Sequence, residues 1–300
     1  MTEFKQRFGQ AVQYLPARLR SPVMRVPDEV SEHASEIRLR VGQQLVITTP
    51  SEEFLVATDS TVRHEELGSM LELATGGSVH TVTESLKNGF ITVPGGHRIG
   101  LCGTAVVKQG EISLIKNISS VSIRIAREVF GAADSVLPFI LQNGAYENTL
   151  ILSPPGVGKT TLLRDLIRQL AGAGEPHYRI AVADERGELA AKCRGSLQFD
   201  LGRHSDVMDG APKSDAIMLL LRAMSPQIIA MDEITAREDI RALEYASHCG
   251  VGLLATAHAY DLDCLINRPL YRELMECGIF RYCIVLTMKD GVREVKMLEL

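Results

Sequence analysis

Apolar and polar residues follow two different patterns along the 300-residue chain. In the first part they alternate, most clearly in Glu36–Val41 and Ser120–Ala126, as expected for half-exposed strands. Further elements are predicted there, namely strands at Leu45–Thr49, Gly89–Thr92 and His97–Val107 and a helix at Arg63–Ala74. Strands interrupted by a helix indicate an α+β N-terminal domain, which we assign to residues 1–133.

In residues 134–300, short apolar runs alternate with amphipathic stretches. Thr149–Leu152 predicts a buried strand, and Thr161–Ala171 predicts a helix with its apolar residues on one stripe. The other predicted strands are Arg179–Ala183, Gln227–Met231, Val251–Thr256 and a terminal hairpin of Phe280–Thr287 with Val292–Leu298 around Asp290-Gly291, and the other predicted helices are Ser135–Gln142, Ala211–Met224 and Thr235–His248. Alternating strands and helices are typical of a mainly parallel α/β sheet.

Two local features refine this second pattern. Thr235, followed three residues later by Glu238, predicts a capping box at the start of a helix. Gly202–Lys213 is polar and is predicted to be a loop, and loops of this length are often functional or mobile. Both a cover over a bound ligand and a contact for a partner fit this stretch.

Composition indicates a soluble globular protein, with 45% apolar and 23% charged residues. The net charge of −5 gives no general reason to expect nucleic-acid binding. The six cysteines form no C-x-x-C pair, so a zinc ribbon is not predicted. We expect them to be reduced thiols in the cytosol. No secretory signal is evident, and no apolar run approaches the ~20 residues that span a bilayer. We therefore expect a cytoplasmic protein that reaches a membrane only through a partner.

A glycine-rich stretch between the first predicted strand of the second part and its helix predicts a phosphate-binding loop. Gly156 and Gly158 let backbone N–H groups close around phosphates, and Lys159 supplies a cation for the β- and γ-phosphates. Thr160 offers its hydroxyl to Mg²⁺, and the helix that follows points its positive end at the anion. The residues predicted to bind ATP are Ser153, Pro154, Pro155, Gly156, Val157, Gly158, Lys159, Thr160 and Thr161.

Ser153 stands where the full motif has a glycine, so less backbone freedom is expected at the loop entry. The alternative is an ordinary turn with an incidental Gly-x-Gly-Lys-Thr, which average composition produces in on the order of one chain in a hundred. The flanking strand and helix make that coincidence rarer still.

Two acids end the predicted strand Gln227–Met231, and ligands bind at the carboxyl edge of an open α/β sheet. ATP hydrolysis needs a metal holder and a group that orients or deprotonates the attacking water. Asp232 is predicted to hold Mg²⁺, with Thr160, and Glu233 to act on the water. A solvated acidic turn is the alternative.

Three further residues are candidates for the catalytic machinery. Asp184 and Glu185 end another strand, where a salt-bridged turn fits equally well. His258 follows a core strand and is predicted to sense the γ-phosphate, although a lone histidine is more often structural. The candidates for an arginine that reaches a neighbouring subunit's nucleotide are Arg186, Arg203, Arg222 and Arg237.

Four stretches stand in the order found in the secretion and pilus ATPases, which the chain therefore resembles. They correspond to the phosphate loop, the acidic box, the second acidic motif and the histidine box, at Ser153–Thr161, Asp184–Glu188, Ser225–Glu233 and Ala255–Ala259. Over nearly its whole length the chain more closely resembles the stage III sporulation protein AA family of spore-forming bacteria. The stretches that carry this second resemblance are Pro94–Arg98, Ser122–Glu128, Asp206–Gly210 and Leu221–Pro226.

The resemblance implies an ATP- and Mg²⁺-dependent motor. Its fold would be α/β, a RecA-like P-loop NTPase core at residues 134–300 preceded by the smaller α+β domain. It implies a homo-oligomeric ring, a hexamer, on the cytosolic face of the mother-cell membrane. Membrane-embedded sporulation or secretion proteins would be its partners, in a transport apparatus between mother cell and forespore. The N-terminal domain would pack against ring neighbours and move with the nucleotide state.

Two other functions fit parts of the sequence. A RecA-like ATPase acting on nucleic acid is disfavoured by the acidic net charge and by the missing stacking platform, with no Trp and 5% aromatic residues. A scaffold that binds ATP without hydrolysis is disfavoured by Glu233, because a binding-only site needs no carboxylate beside the metal.

Overall fold

The computed structural model describes residues 3–57, 61–76, 89–108, 110–142, 144–174, 177–289 and 291–300. Two compact units are present. The first consists of Met1–Arg127 together with Ala191–Gln198, and the second of Glu128–Ala190 and Phe199–Leu300. The segment Ala191–Gln198 therefore packs with the first unit, although the sequence on both sides of it belongs to the second.

The first unit is an antiparallel sheet with helices packed on it. Along β1, Ile37 and Leu39 are buried while their neighbours are more exposed, so the predicted alternation is confirmed. The sheet order is β3-β2-β1-β6-β5-β4. The strands are β1 Glu36–Arg40, β2 Val46–Thr48, β3 Glu53–Leu55, β4 Phe90–Thr92, β5 Arg98–Lys108 and β6 Glu111–Arg124, and the helices are Glu3–Val12, Ala17–Val23, Asp28–His33 and His64–Thr75.

Two contacts hold the inserted segment Ala191–Gln198 in the first unit. The side-chain oxygen of Gln198 accepts a hydrogen bond of 2.9 Å from the backbone N–H of Gly95. The Arg194 guanidinium lies against Gly76, where a Cβ would come within 2.9 Å of its Nη2 atom. Gly76 itself has φ = 62°, in the left-handed region that favours glycine.

The second unit is built on a mainly parallel sheet in the order β11-β10-β12-β13-β9-β14-β15, in which only β15 runs antiparallel to its neighbour. The strands are β9 Thr149–Ser153, β10 Ile180–Asp184, β11 Ser205–Asp209, β12 Ile228–Met231, β13 Gly252–His258, β14 Tyr282–Lys289 and β15 Val292–Glu299, with a separate short pair of β7 Leu141–Gln142 and β8 Ala145–Tyr146. The helices are Leu137–Ile140, Lys159–Leu170, Lys213–Met224, Arg237–His248, Leu262–Ile266 and Pro269–Glu276.

Both faces of this sheet are covered by apolar side chains. Successive residues of one strand enter different clusters, as Leu150 and Ile151 of β9 do, because a strand alternates its side chains between faces. Ile151 packs with the helix Lys159–Leu170, and Leu150 with the helices Lys213–Met224 and Arg237–His248. The predicted fold class, α/β with a mainly parallel sheet preceded by a smaller α+β unit, is confirmed.

Two predictions of secondary structure were wrong. The predicted helix Ser135–Gln142 is a single turn, Leu137–Ile140, because the chain then enters the short strand β7. The predicted loop Gly202–Lys213 contains β11, an edge strand that pairs with β10 in parallel. Its polar, half-buried residues gave no alternating signal. Of the predicted hairpin turn, Asp290 lies outside the described residues.

The predicted capping box at Thr235 was also wrong, because Glu238 is not the residue that caps the helix. The carboxylate of Asp239, not that of Glu238, accepts the backbone N–H groups of Thr235 at 2.9 Å and Ala236 at 3.1 Å. The helix consequently begins at Arg237. Within the described part of the chain, no helix has both the length and the apolar character needed to cross a bilayer.

Candidate active site

The predicted site residues meet at one edge of the parallel sheet. Ser153 ends β9 and pairs with His258 at the end of β13, while Met231 at the end of β12 pairs with Ala255. Asp232 directly follows β12. All these strands point the same way, so the residues after them are brought together at their carboxyl ends.

The phosphate loop has the backbone that its glycines predict. Gly156 has φ = 79° and Gly158 has φ = 100°, both in the region that favours glycine. The helix begins directly after Gly158, at Lys159. Ser153, by contrast, is the last extended residue of β9, buried, with its hydroxyl donating to the Pro154 carbonyl at 2.7 Å. No left-handed backbone is required there, so serine fits without strain.

Asp232 and Thr160 are joined by a hydrogen bond of 2.8 Å from the Thr160 hydroxyl to the carboxylate Oδ2. The other carboxylate oxygen, Oδ1, accepts a hydrogen bond of 2.6 Å from the Thr256 hydroxyl. It also lies 3.6 Å from Lys159 Nζ. A hydroxyl and a carboxylate are oxygen ligands of the type Mg²⁺ prefers. The two residues predicted to hold the metal are therefore in direct contact.

Glu233 is fixed through its backbone. Its φ is 51°, which is uncommon for a residue with a side chain and costs of order 1–3 kcal/mol. Its N–H donates to Thr256 Oγ1 at 2.8 Å, and its carbonyl accepts from Lys213 Nζ at 2.8 Å. The carboxylate oxygens lie 3.6 Å from His258 Nε2 and 3.6 Å from Arg186 Nη1. This backbone aims the Glu233 side chain into the site.

His258 joins the loop to the acids. Its Nδ1 lies 3.2 Å from the Ser153 carbonyl oxygen, which only accepts, so Nδ1 carries the hydrogen. Nε2 then faces Lys159 Nζ at 3.5 Å, as well as Glu233. The structure thus places His258 between Lys159 of the loop and the second acid, Glu233.

Asp184 and Glu185 stand differently at this edge. The Asp184 carboxylate is buried and accepts backbone N–H groups of the following turn, from Glu188, Leu189 and Ala190 at 2.8 to 3.2 Å. Burial raises the pKa of Asp184 above its ordinary value, against the opposing effect of those hydrogen bonds. Glu185 is more exposed and lies 3.4 Å from Lys213 Nζ. Their predicted catalytic roles stay predictions, and the geometry gives Asp184 a turn-stabilising role.

The four arginines are spread over the second unit. Arg186 approaches Glu233, and Arg237 forms an ion pair with Glu273 at 3.0 Å. Arg203 and Arg222 are exposed. Which of them reaches a neighbouring subunit stays a prediction.

Two residues that contact the candidate site were missed by sequence reasoning. Lys213 is buried and contacts both acidic motifs, but at the start of an ordinary helix it has no distinguishing signal. Thr256 is fully buried and bonds to both Asp232 and Glu233. A hydroxyl in the otherwise apolar strand Leu253–Ala257 was a signal that could have found it.

A cavity of about 390 Å³ lies in front of the phosphate loop. Three carboxylates line it, from Glu188, Asp232 and Glu233, against the single cation of Lys159. Among the described residues no group of three or more His, Cys, Asp or Glu side chains is suited to hold a metal. Mg²⁺ does not need such a group, since it is usually bound by one or two protein ligands together with phosphates and water.

The mainly parallel sheet and the antiparallel unit before it form a fold similar to that of the secretion and pilus ATPases. The pilus retraction motor PilT, crystallised with ADP, has a TM-score of 0.59 and 17% identity over 90% of this chain and 81% of its own. The Legionella pneumophila ATPase DotB has a TM-score of 0.57 and 15% identity over 88% and 76%. At such identities the likeness shows the fold alone.

The family follows from sequence. The model of the family described as "Sporulation stage III, protein AA" matches residues 5–298. Stage III sporulation protein AA of Bacillus subtilis (strain 168) is 33% identical over 286 residues, which are 94% of this chain and 92% of that protein. The chain belongs to the sporulation stage III protein AA family.

Proposed function

We propose that the chain binds ATP with Mg²⁺ at the phosphate loop and hydrolyses it. The observation that carries this proposal is the 2.8 Å hydrogen bond between Thr160 and Asp232, with Glu233 as the next residue. It joins the loop that would hold the phosphates to the strand end that would supply the acids. A loop that only bound an anion would need no such arrangement.

Each residue has a distinct part in the proposed reaction. Lys159 and the loop amides bind the β- and γ-phosphates. Thr160 and Asp232 would hold Mg²⁺, which neutralises charge on the phosphates in reactions of this type. Glu233, partly exposed to the cavity, orients the attacking water and accepts its proton. His258, between Lys159 and Glu233, would respond to the presence of the γ-phosphate.

Two variants separate binding from turnover. Lys159→Ala is expected to abolish ATP binding, measured by calorimetry. Glu233→Gln is expected to keep the affinity and to lose the release of phosphate. Glu238→Gln, at an exposed helical position, is the matched control and should behave as the natural chain does. If Glu233→Gln hydrolysed ATP at the natural rate, Glu233 would not be the base.

The finer role is a motor within sporulation. We infer a homo-oligomer, a hexameric ring on the cytoplasmic face of the mother-cell membrane. It would serve membrane-embedded proteins of a transport apparatus between mother cell and forespore. Membership of the sporulation family supports the setting, and the fold shared with a pilus retraction motor supports the motor. The ring rests on the resemblance of the sequence motifs to those of the secretion and pilus ATPases.

The ring and the setting have separate tests. Light scattering at micromolar protein with ATP and Mg²⁺ should show an assembly of about six chains, and a monomer alone would refute the ring. A pull-down from sporulating cells should recover membrane proteins together with the chain. Recovery of none would refute the proposed setting and leave the ATPase proposal intact.

A further inference from the structure

The strand β15 begins at the end of the sheet where the parallel strands finish, which is also where the phosphate loop follows β9. β14 runs parallel to β9, with Val285 opposite Leu152, and continues past it to Lys289. β15 returns antiparallel, so that Arg293 stands opposite Met288. Arg293 therefore lies beyond the level of Leu152, where β9 gives way to the loop.

Arg293 faces the phosphate-loop side of this sheet and lies next to the loop. Val295, two residues further along the strand and so on the same face, packs with the cluster that contains the helix Lys159–Leu170. A Cβ built on Gly158 would stand 3.4 Å from Arg293 Nη1. The half-buried guanidinium thus lies just beyond the space that a side chain at Gly158 would occupy, directly before Lys159.

The side chains that line the cavity carry more negative than positive charge, so a further cation such as Arg293 would favour the binding of a nucleotide. The cavity lining has three carboxylates and one lysine, an unfavourable balance for a triply or quadruply charged nucleotide even with one Mg²⁺ bound. Within the described ranges, Arg293 has no hydrogen-bond or ion-pair partner. A half-buried guanidinium that has no counter-ion among the described residues, beside an anion-binding loop, is suited to a phosphate oxygen.

We propose that Arg293 binds a phosphate of the nucleotide held by its own subunit, as a second cation beside Lys159. The proposal rests on the proposed function, namely that the loop binds ATP. Asp232 and His258 approach the loop from β12 and β13, on one side of β9. Arg293 approaches from β15, on the other side, away from the residues assigned to the γ-phosphate. Its contact is therefore with the phosphates that ATP and ADP share.

Calorimetry on the full chain tests this contact with ATP, ADP and inorganic pyrophosphate. Arg293→Ala should weaken the binding of all three by about ten- to hundredfold, as expected for a hydrogen bond between charged groups. The factor should be the same for ATP and ADP. Lys296→Ala, a basic residue on the same strand that faces the other way, should change none of them. Arg293→Gln should reproduce the loss without shortening the side chain as far.

The outcomes discriminate between the two levels of the proposal. Natural affinity of Arg293→Ala and Arg293→Gln for ADP and pyrophosphate would overturn the Arg293 assignment and leave the ATP site standing. If the variants bound ADP more weakly but bound pyrophosphate with natural affinity, the Arg293 assignment would also be overturned, because the contact would then be to the nucleoside. A natural chain that bound no nucleotide would instead refute the proposed function.

Discussion

The side-chain nitrogen of Lys213 lies 2.8 Å from the backbone carbonyl oxygen of Glu233. Lys213 is buried and also donates to Thr235 Oγ1 at 2.9 Å, with the Asp239 carboxylate 3.6 Å away. It thereby holds Glu233 in a left-handed conformation that the residue would not adopt by preference. We therefore infer that Lys213 positions Glu233, the proposed base.

We predict that Lys213→Met lowers ATP turnover by about ten- to hundredfold while the affinity for ATP changes little. The reason is that misplacing a catalytic group by even about 1 Å can cost that much in rate. Lys213 does not line the cavity in front of the phosphate loop, so binding is spared. Steady-state phosphate release together with calorimetric ATP binding measures the two effects separately.

A second variant separates positioning from folding. Lys213→Met leaves Asp239 buried beside no cation, and breaking a buried pair costs roughly 3–5 kcal/mol. Adding Asp239→Asn removes that charge and should restore the free energy of unfolding. Turnover should stay low in this double variant. Recovery of turnover along with stability would show that Lys213 acts on folding alone.

Thr256 supports both acids from the strand below them. Its hydroxyl accepts the N–H of Glu233 and donates to Asp232 Oδ1. Thr256→Val keeps the shape but leaves a buried N–H unpaired, at a cost of about 1–3 kcal/mol. We expect a fall in kcat of at least tenfold. Thr256→Ser, which keeps the hydroxyl, should retain most of the activity, and an active valine variant would contradict the assignment.

Much of this site could be predicted from sequence because its parts lie at the ends of buried strands. The apolar strands before Ser153, Asp232 and His258 have a clear pattern, and parallel strands bring their ends together. Lys213 could not be predicted in the same way. Its role depends on a helix from elsewhere in the chain packing beside Glu233, which no local pattern records.

The first unit shows the same limit. The alternation of β1 predicted its strand, because one face of the sheet is buried. The insertion Ala191–Gln198 could not be predicted, since it lies inside the sequence of the other unit and is held by long-range contacts such as that of Gln198 to Gly95. The strand β11 was not predicted because an edge strand with polar residues lacks the apolar run of a central strand.

The entry of the phosphate loop offers a prediction about glycine. Ser153 is extended, whereas Gly158, five residues further along the loop, has φ = 100°, so of these two positions only Gly158 demands glycine. Ser153→Gly should leave ATP affinity within about threefold of the natural value, a difference well below 1.4 kcal/mol. Gly158→Ala should weaken it at least tenfold, because the left-handed backbone is strained by a side chain. Calorimetric titration of both variants with ATP measures the two affinities. Equal losses of affinity would contradict the prediction that only Gly158 demands glycine.

His97 makes the stability of the first unit depend on pH. Its ring is fully buried, and Nδ1 accepts the backbone N–H of Ala126 at 3.1 Å, which the neutral ring does and the charged ring cannot do. Burial, helped by the nearby charge of Arg7, lowers the pKa of His97 from its ordinary 6.5 to about 4. Below pH 6.5 the unfolded chain therefore takes up a proton that the native chain refuses.

The free energy of unfolding should consequently fall as the pH falls from 6.5 towards 4, since the unfolded state binds more protons throughout that window. The two pKa values correspond to a loss of roughly 3 kcal/mol by pH 4. His97→Asn keeps an acceptor for Ala126 and does not titrate, so the difference between the two chains isolates this residue. Urea unfolding of both at a series of pH values should show the natural chain losing stability relative to the variant as the pH is lowered. A difference that stays constant from pH 7 to pH 4 would mean that His97 does not resist protonation in the native protein.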